Sequence, residues 1–136
     1  MEAVRIFLDT NIVLDYFTGR MNDDRAKIIM QIGRDYPQFE LCISLLTAVN
    51  VLYVAKKYMP SLQPADLSKL FTILPQDYKQ YTDAIDLGLT DFEDALQVSC
   101  ALNNSSIFLI TRDPHLKAAP IVCFTPQEFI EAVSFS

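Results

Sequence analysis

VRIFLDTN, residues 4–11, sets a short β-rich run directly against an acid and two small polar residues. A brief apolar segment that stops abruptly at turn formers reads as a strand, and Asp9-Thr10-Asn11 as the turn or helix cap that ends it. The same grammar recurs downstream. Residues 39–43 are apolar and give way to Ser44, and residues 107–111 (IFLIT) give way to Arg112-Asp113. Residues 71–74 and 121–124 supply two further short runs.

Helical signals lie between these strands. Asn22-Asp23-Asp24 caps a segment reaching about Gly33, in which Ile28, Ile29 and Ile32 recur at helical spacing. Ser44 caps residues 45–59, which are apolar nearly all round until Lys56-Lys57. A short helix is expected from about Ala65, after Pro60 and Pro64, and another over residues 76–88, stopped by Gly88. DFEDALQ, residues 91–97, opens a helix to about Asn103-Asn104, and Thr125-Pro126 caps the last one. Short apolar strands alternating with helices predict an α/β domain around a parallel sheet of four to five strands. Ligands of such sheets sit at the carboxyl ends of the strands. That edge collects Asp9, Ser44 and the Thr111-Arg112-Asp113 segment.

The length of 136 residues fits one domain, residues 1–136, with enough chain for a real core. No apolar run approaches the roughly 20 residues of a membrane span. MEAVRIFLDT lacks the basic-then-apolar layout of a secretory signal, so a cytoplasmic protein is expected. Cys42, Cys100 and Cys123 are odd in number and set among apolar neighbours, and read as reduced core cysteines. The net charge of −6 excludes broad electrostatic capture of nucleic acid. Any such role must rest on a local patch or on bound cations.

Each acid has a structural and a chemical reading. Thr90 with Glu93 fits a capping box, and Asp91 suits the helix dipole, the cap itself or the edge of a ligand site. Asp94 sits a turn deeper on the same side as Asp91, a crowding of like charge that a cation would offset. Asp9 reads as an N-cap or a ligand, and Asp113 as a turn before Pro114 or a ligand. Three carboxylates from separate segments suit Mg²⁺ or Mn²⁺, which prefer carboxylate oxygens and water. The chain has no G-x-S-x-G elbow and no glycine-rich phosphate loop, and its one histidine, His115, reads as a loop residue. An attacking water activated by metal is the expectation that remains.

FLDTNIVLDYF, DFEDALQ and LITRD, in this order and spacing, together resemble the PIN-domain family, and in particular the small bacterial VapC-type toxins of toxin–antitoxin pairs. The closing FTPQEFI extends the resemblance over essentially the whole chain. It implies a three-layer α/β/α fold and a Mg²⁺- or Mn²⁺-dependent endoribonuclease acting on RNA, held in check by a cognate antitoxin and expected as a homodimer. Position by position it makes Asp9, Asp94 and Asp113 catalytic metal ligands, Asp91 an auxiliary acid, and Asn11 the polar residue after the first aspartate. The family's usual second acid is a glutamate in a stretch like S-x-L-T-x-x-E. Here that stretch is SLLTAVN, and Asn50 stands in its place.

On this reading Ser44, Thr10, Asn11 and Thr111 orient water or the scissile phosphate, and Arg112 contacts the substrate backbone or simply faces solvent. Lys56, Lys57 and Lys117 are candidates for a local basic patch. The apolar helix after Ser44 is either core or an interface for a second copy or an antitoxin helix. Asn50 keeps open a binding module that has lost turnover. An aspartyl-phosphate phosphatase would need D-x-D where Asp9-Thr10-Asn11 stands. A receiver domain would need an acid on the strand ending at Ile43.

Overall fold

A computed structural model describes residues 3–134. Five strands, β1 (Val4–Leu8), β2 (Phe39–Ser44), β3 (Thr72–Leu74), β4 (Phe108–Ile110) and β5 (Val122–Phe124), form one sheet. Their order is β3-β2-β1-β4-β5, and every pairing is parallel. In the central pairings Phe7 lies opposite Cys42 and Leu8 opposite Ile110.

Parallel sheets need both faces covered, and β1 shows why. Ile6, Phe7 and Leu8 are all at most 1% exposed, so neither face of the strand meets solvent. Alternation sends Ile6 and Leu8 to one face and Phe7 to the other. Ile6 and Leu8 pack with Val13 of α1 (Thr10–Thr18), Ile29 of α2 (Arg25–Asp35), Val51 of α3 (Leu45–Ala55) and Leu67 of α4 (Pro64–Leu70). Phe129 of α7 (Pro126–Ser134) closes that layer. Phe7 packs with Val98 and Ala101 of α6 (Phe92–Asn103) and Leu116 of a 3₁₀ helix (Pro114–Ala118). Against α6 lies α5 (Tyr78–Asp86), held by a hydrogen bond from the Ser99 hydroxyl to the Gln80 carbonyl at 2.8 Å. The result is three layers, α/β/α. Cys42, Cys100 and Cys123 are buried free thiols of the second layer, and burial pushes Cys42 and Cys100 up to about 12.

The element order follows the sequence reading, with three local differences. A full helix, α1, stands behind the Asp9-Thr10-Asn11 cap and ends at Gly19, whose φ of 63° lies in the left-handed region. Helix α3 ends at Ala55 rather than near Met59, because the chain tightens there into turns in which the Lys57 and Tyr58 N–H groups donate three residues back, to the Val54 and Ala55 carbonyls. Gly33 does not stop α2, which runs on to Asp35. It marks a close approach instead: a Cβ there would lie 2.5 Å from Leu41 Cδ1 and 2.9 Å from Cγ. Among the described residues no helix is long and apolar enough to cross a membrane.

Gly33→Ala should therefore destabilise the chain although alanine favours helix by about 1 kcal/mol. Overpacking against Leu41 costs about 1–3 kcal/mol. A urea midpoint lower than wild type is the expected result, and an unchanged or higher midpoint would show that Leu41 yields freely.

Candidate active site

In the order 3-2-1-4-5 the chain leaves β1 toward one edge of the sheet and β4 toward the other. Their carboxyl ends therefore frame the crevice where α/β sheets bind ligands. Asp9 is the first residue beyond β1 and Thr111 the first beyond β4. The Asp9 N–H still donates to the Ile110 carbonyl at 3.0 Å, so the two ends stay zipped up to the site.

The Asp9 side chain is only 6% exposed and is held at both oxygens. Oδ1 accepts the Thr10 N–H at 2.8 Å, which caps α1, and Oδ2 accepts the Thr111 hydroxyl at 2.8 Å. That hydroxyl in turn accepts the Asp113 N–H at 3.0 Å. One threonine thus fixes the first acid and the backbone of the last. Asp113 Oδ1 then accepts the His115 N–H at 2.9 Å, capping the 3₁₀ helix. The cap and ligand readings of Asp9 and Asp113 are not exclusive, since a capped carboxylate retains lone pairs.

Helix α6 delivers the remaining acids. Its N-cap is Asp91, whose Oδ1 accepts the Asp94 N–H at 3.1 Å. The capping box expected of Thr90 and Glu93 is not formed, because Asp91 takes the cap one residue later. Glu93 is left free to border the site. Asp9, Asn11, Asn50, Asp91, Asp94 and Asp113 line one cavity of about 450 Å³, with Glu93 and Gln97 beside them. Asn50 reaches it from α3, from the position where the resemblance places a glutamate.

Ser44 is fully buried as the cap of α3, its Oγ accepting the Thr47 N–H at 3.0 Å, and it does not border the cavity. Thr111 is buried beneath it. Arg112 turns away to Asp15, with Nε 2.9 Å from Oδ2. Lys117 is engaged by Glu128 at 2.6 Å and by the Cys123 carbonyl, and Lys56 and Lys57 lie on the exposed turn after α3, so no basic patch is assembled from the three. His115 lies on the 3₁₀ helix rather than a loop, its Nδ1 3.0 Å from Asp113 Oδ1. Sequence reasoning missed Gln97, whose Nε2 donates to the Thr10 and Thr47 hydroxyls at 2.7 Å each. The available signal was an amide inside an otherwise apolar helical stretch.

Crowding shows in the carboxyl groups. Asp94 is pushed up to about 7, first by burial and then by Asp91, by its hydrogen bond with Asp113 and by Asp9. Asp113 is held below its ordinary value, first by the His115 backbone N–H. The contact between the two carboxyl groups thus works in opposite senses, raising Asp94 and lowering Asp113. Burial raises Asp9 against the Thr111 and Thr10 hydrogen bonds.

A divalent cation fits this donor set in one form. Oxygen is the only ligand type on offer, which suits Mg²⁺ or Mn²⁺. Among the described residues no three acidic, His or Cys side chains converge into a ready cage. The fit is to an ion held by one or two carboxylates that keeps much of its water, as Mg²⁺ prefers. The carboxyl groups of Asp94 and Asp113 stand together where cation charge would act. The buried Gln97 Oε1, without a partner among the described residues, is a further oxygen beside the cavity.

A metal-free pH series tests the crowding. Asp94 titrates near 7 in the folded chain against an ordinary 3.8, so between these values the folded state holds a proton that the unfolded state has lost. Stability should fall as pH rises through that window and level off above it. Thermal melts in EDTA should show this slope, and Asp94→Asn should flatten it. An equal slope in the mutant would place the proton elsewhere.

The PIN domain family matches residues 5–115. No curated protein matches the sequence. Among solved structures, a chain of a toxin–antitoxin complex from Klebsiella pneumoniae superposes with a TM-score of 0.70 at 27% identity, covering 89% of this chain and 97% of that one. VapBC2 from Rickettsia felis, bound to a promoter DNA fragment, gives 0.63 at 14% identity, covering 90% and 98%. FitAcB from Neisseria gonorrhoeae gives 0.59 at 18%, also covering 90% and 98%. The last two bear on the fold alone. With the family match spanning residues 5–115 of 136, and a sheet order that gathers its acids at one crevice, the chain belongs to the PIN domain family.

Proposed function

We propose that this chain is a metal-dependent endoribonuclease, the toxin of a toxin–antitoxin pair. The observation that carries the reading is the meeting of Asp9, Asp91, Asp94 and Asp113, from three separate segments, around one cavity at the switch point of the sheet. Asp9, Asp94 and Asp113 would hold Mg²⁺ or Mn²⁺ between them, one or two through carboxylate oxygens and the rest through the ion's own water, with Asp91 as an auxiliary acid. Such an ion supplies charge neutralisation at a phosphoryl oxygen and makes a water molecule more acidic.

The chain's own residues prepare that chemistry. Thr111 and the Thr10 N–H aim the Asp9 carboxylate, and Asp91 sets the start of α6 so that Asp94 faces Asp113. With Asp94 ionised, both carboxylates would be available to a cation. The net charge of −6 leaves RNA binding dependent on that cation.

A second reading, a PIN-fold binding module with attenuated turnover, is favoured by Asn50 alone. It borders the cavity without bringing charge. Both readings meet in one assay. Wild type should cleave a mixed RNA pool with Mn²⁺ and stop with EDTA, and Asp94→Asn should lose at least about a hundredfold in rate, as loss of a group central to the reaction does. If wild type is as silent as Asp94→Asn while Asn50→Glu gains cleavage, the binding-module reading replaces the enzyme.

The partner reading rests on α3. Leu45, Val49 and Tyr53 recur every fourth residue and are 49%, 58% and 78% exposed, so the apolar helix is not covered by its own chain. The proposal gives this face to a second copy and the complex to an antitoxin, as the description of the Klebsiella pneumoniae structure suggests. Sedimentation should find wild type at twice the mass of the chain, and Val49→Glu at the single mass with an unchanged far-UV circular dichroism spectrum and a melting temperature that no longer depends on concentration. A monomeric wild type would remove the homodimer from the reading.

A further inference from the structure

We infer that Asn11 meets the substrate as a hydrogen-bond donor to a phosphoryl oxygen, and that Arg20 is the positioning residue that fixes it in this sense. The inference rests on the phosphodiester reading above. It starts from the end of α1. The Gly19 N–H donates to the Asp15 carbonyl at 2.9 Å, and the left-handed turn at Gly19 brings Arg20 back over its own helix. The guanidinium then divides. Nε donates to Asp15 Oδ1 at 2.9 Å, and Nη2 donates to Asn11 Oδ1 at 2.7 Å.

Arginine has donors only. The Asn11 atom facing it must be the carbonyl oxygen, which removes the usual ambiguity of an amide's two ends. The NH₂ is then the polar group that Asn11 has left, and Asn11 borders the acidic cavity. Around that cavity Asp9, Asp91, Glu93, Asp94 and Asp113 offer oxygens, which accept when ionised. The Gln97 NH₂ is spent on Thr10 and Thr47. Asn50 also borders the cavity, but no hydrogen bond fixes its amide among the described residues. Of the amides that border the cavity, Asn11 is thus the one whose NH₂ is oriented and not spent on a partner among the described residues. An NH₂ cannot ligate a cation, whereas it suits an anionic oxygen brought in by substrate.

The anchor of Arg20 is itself held. The Asp15 side chain is 10% exposed, and Arg112 grips it from the far side with Nε at 2.9 Å. Arg112 adjoins Asp113, so one frame runs Asp113–Arg112–Asp15–Arg20–Asn11. It ties the loop of the last acid to the donor across the cavity. Exposed ion pairs contribute little to stability. The frame's consequence is geometric.

The test follows the Asn11 side-chain NH₂ resonances of ¹⁵N-labelled protein with Mg²⁺, during titration with inorganic phosphate and, separately, a short RNA oligonucleotide. Cleavage kinetics and the thermal shift with Mn²⁺ are measured beside it for Arg20→Gln, Arg20→Lys and Asn11→Asp. In wild type the Asn11 signals should respond to phosphate, and Arg20→Gln should abolish the response. Arg20→Gln should raise KM about tenfold, the loss expected for a hydrogen bond to a charged group. Its kcat and Mn²⁺ response should stay near wild type, and Arg20→Lys should fall between. Asn11→Asp should raise KM further without weakening Mn²⁺ binding. Absence of any Asn11 response, or an unchanged KM in Arg20→Gln, overturns the inference. So does an Asn11→Asp variant that tightens Mn²⁺ and substrate together, which would make residue 11 a metal ligand. If wild type leaves RNA intact while Asn11 still responds to phosphate through Arg20, the inference stands and the ribonuclease reading falls.

Discussion

The hydrogen bond from the Thr111 hydroxyl to Asp9 Oδ2 is the constraint on which the site depends. It joins the carboxyl ends of β1 and β4, the pair at which the sheet reverses its winding. Register makes it available: Leu8 lies opposite Ile110, so the next residues along, Asp9 and Thr111, leave the sheet side by side. The same hydroxyl receives the Asp113 N–H, so two acids 104 positions apart answer to one oxygen. A buried carboxylate without such donors would be costly. Asp9 has two, and keeps its place beneath the cavity.

From that clamp the electrostatics follow. Once Asp9 and Asp113 are fixed, the cap at Asp91 brings Asp94 into their company, and burial with like charge raises Asp94 to about 7. The positive side chains nearest by are used internally. Arg20 and Arg112 both hold Asp15, and Lys117 holds Glu128, so the chain extends little positive charge toward a polyanion. This division leaves the net charge of −6 without an assembled basic face among the described residues.

Membership of the PIN domain family and geometry speak to different levels. The family match and the sheet order establish the architecture. The amide at Asn50 bears on how strong the chemistry is, since it borders the cavity without adding charge. Glu93, displaced from the cap by Asp91, borders the same cavity and offers the acidity that Asn50 does not.

The strands, the parallel class of the sheet, and the acids at its carboxyl edge were legible along the chain, because each is written locally. A strand needs a run of β-forming residues, a cap needs one polar side chain at one position, and the parallel class follows from alternation of strand and helix. Even so, local grammar left the cap of α6 open between Thr90 and Asp91 and gave Glu93 to a box with Thr90, since neighbouring polar residues are equivalent until the backbone chooses one. Tertiary structure alone decided which oxygen faces which hydrogen. That Ser44 is buried as a cap, that Arg112 turns to Asp15, and that Gln97 lies under Thr10 and Thr47 depend on contacts between segments far apart in sequence. Residue type fixes the donors and acceptors a side chain carries. Only packing fixes their direction, because direction is set by the partners that burial leaves within reach.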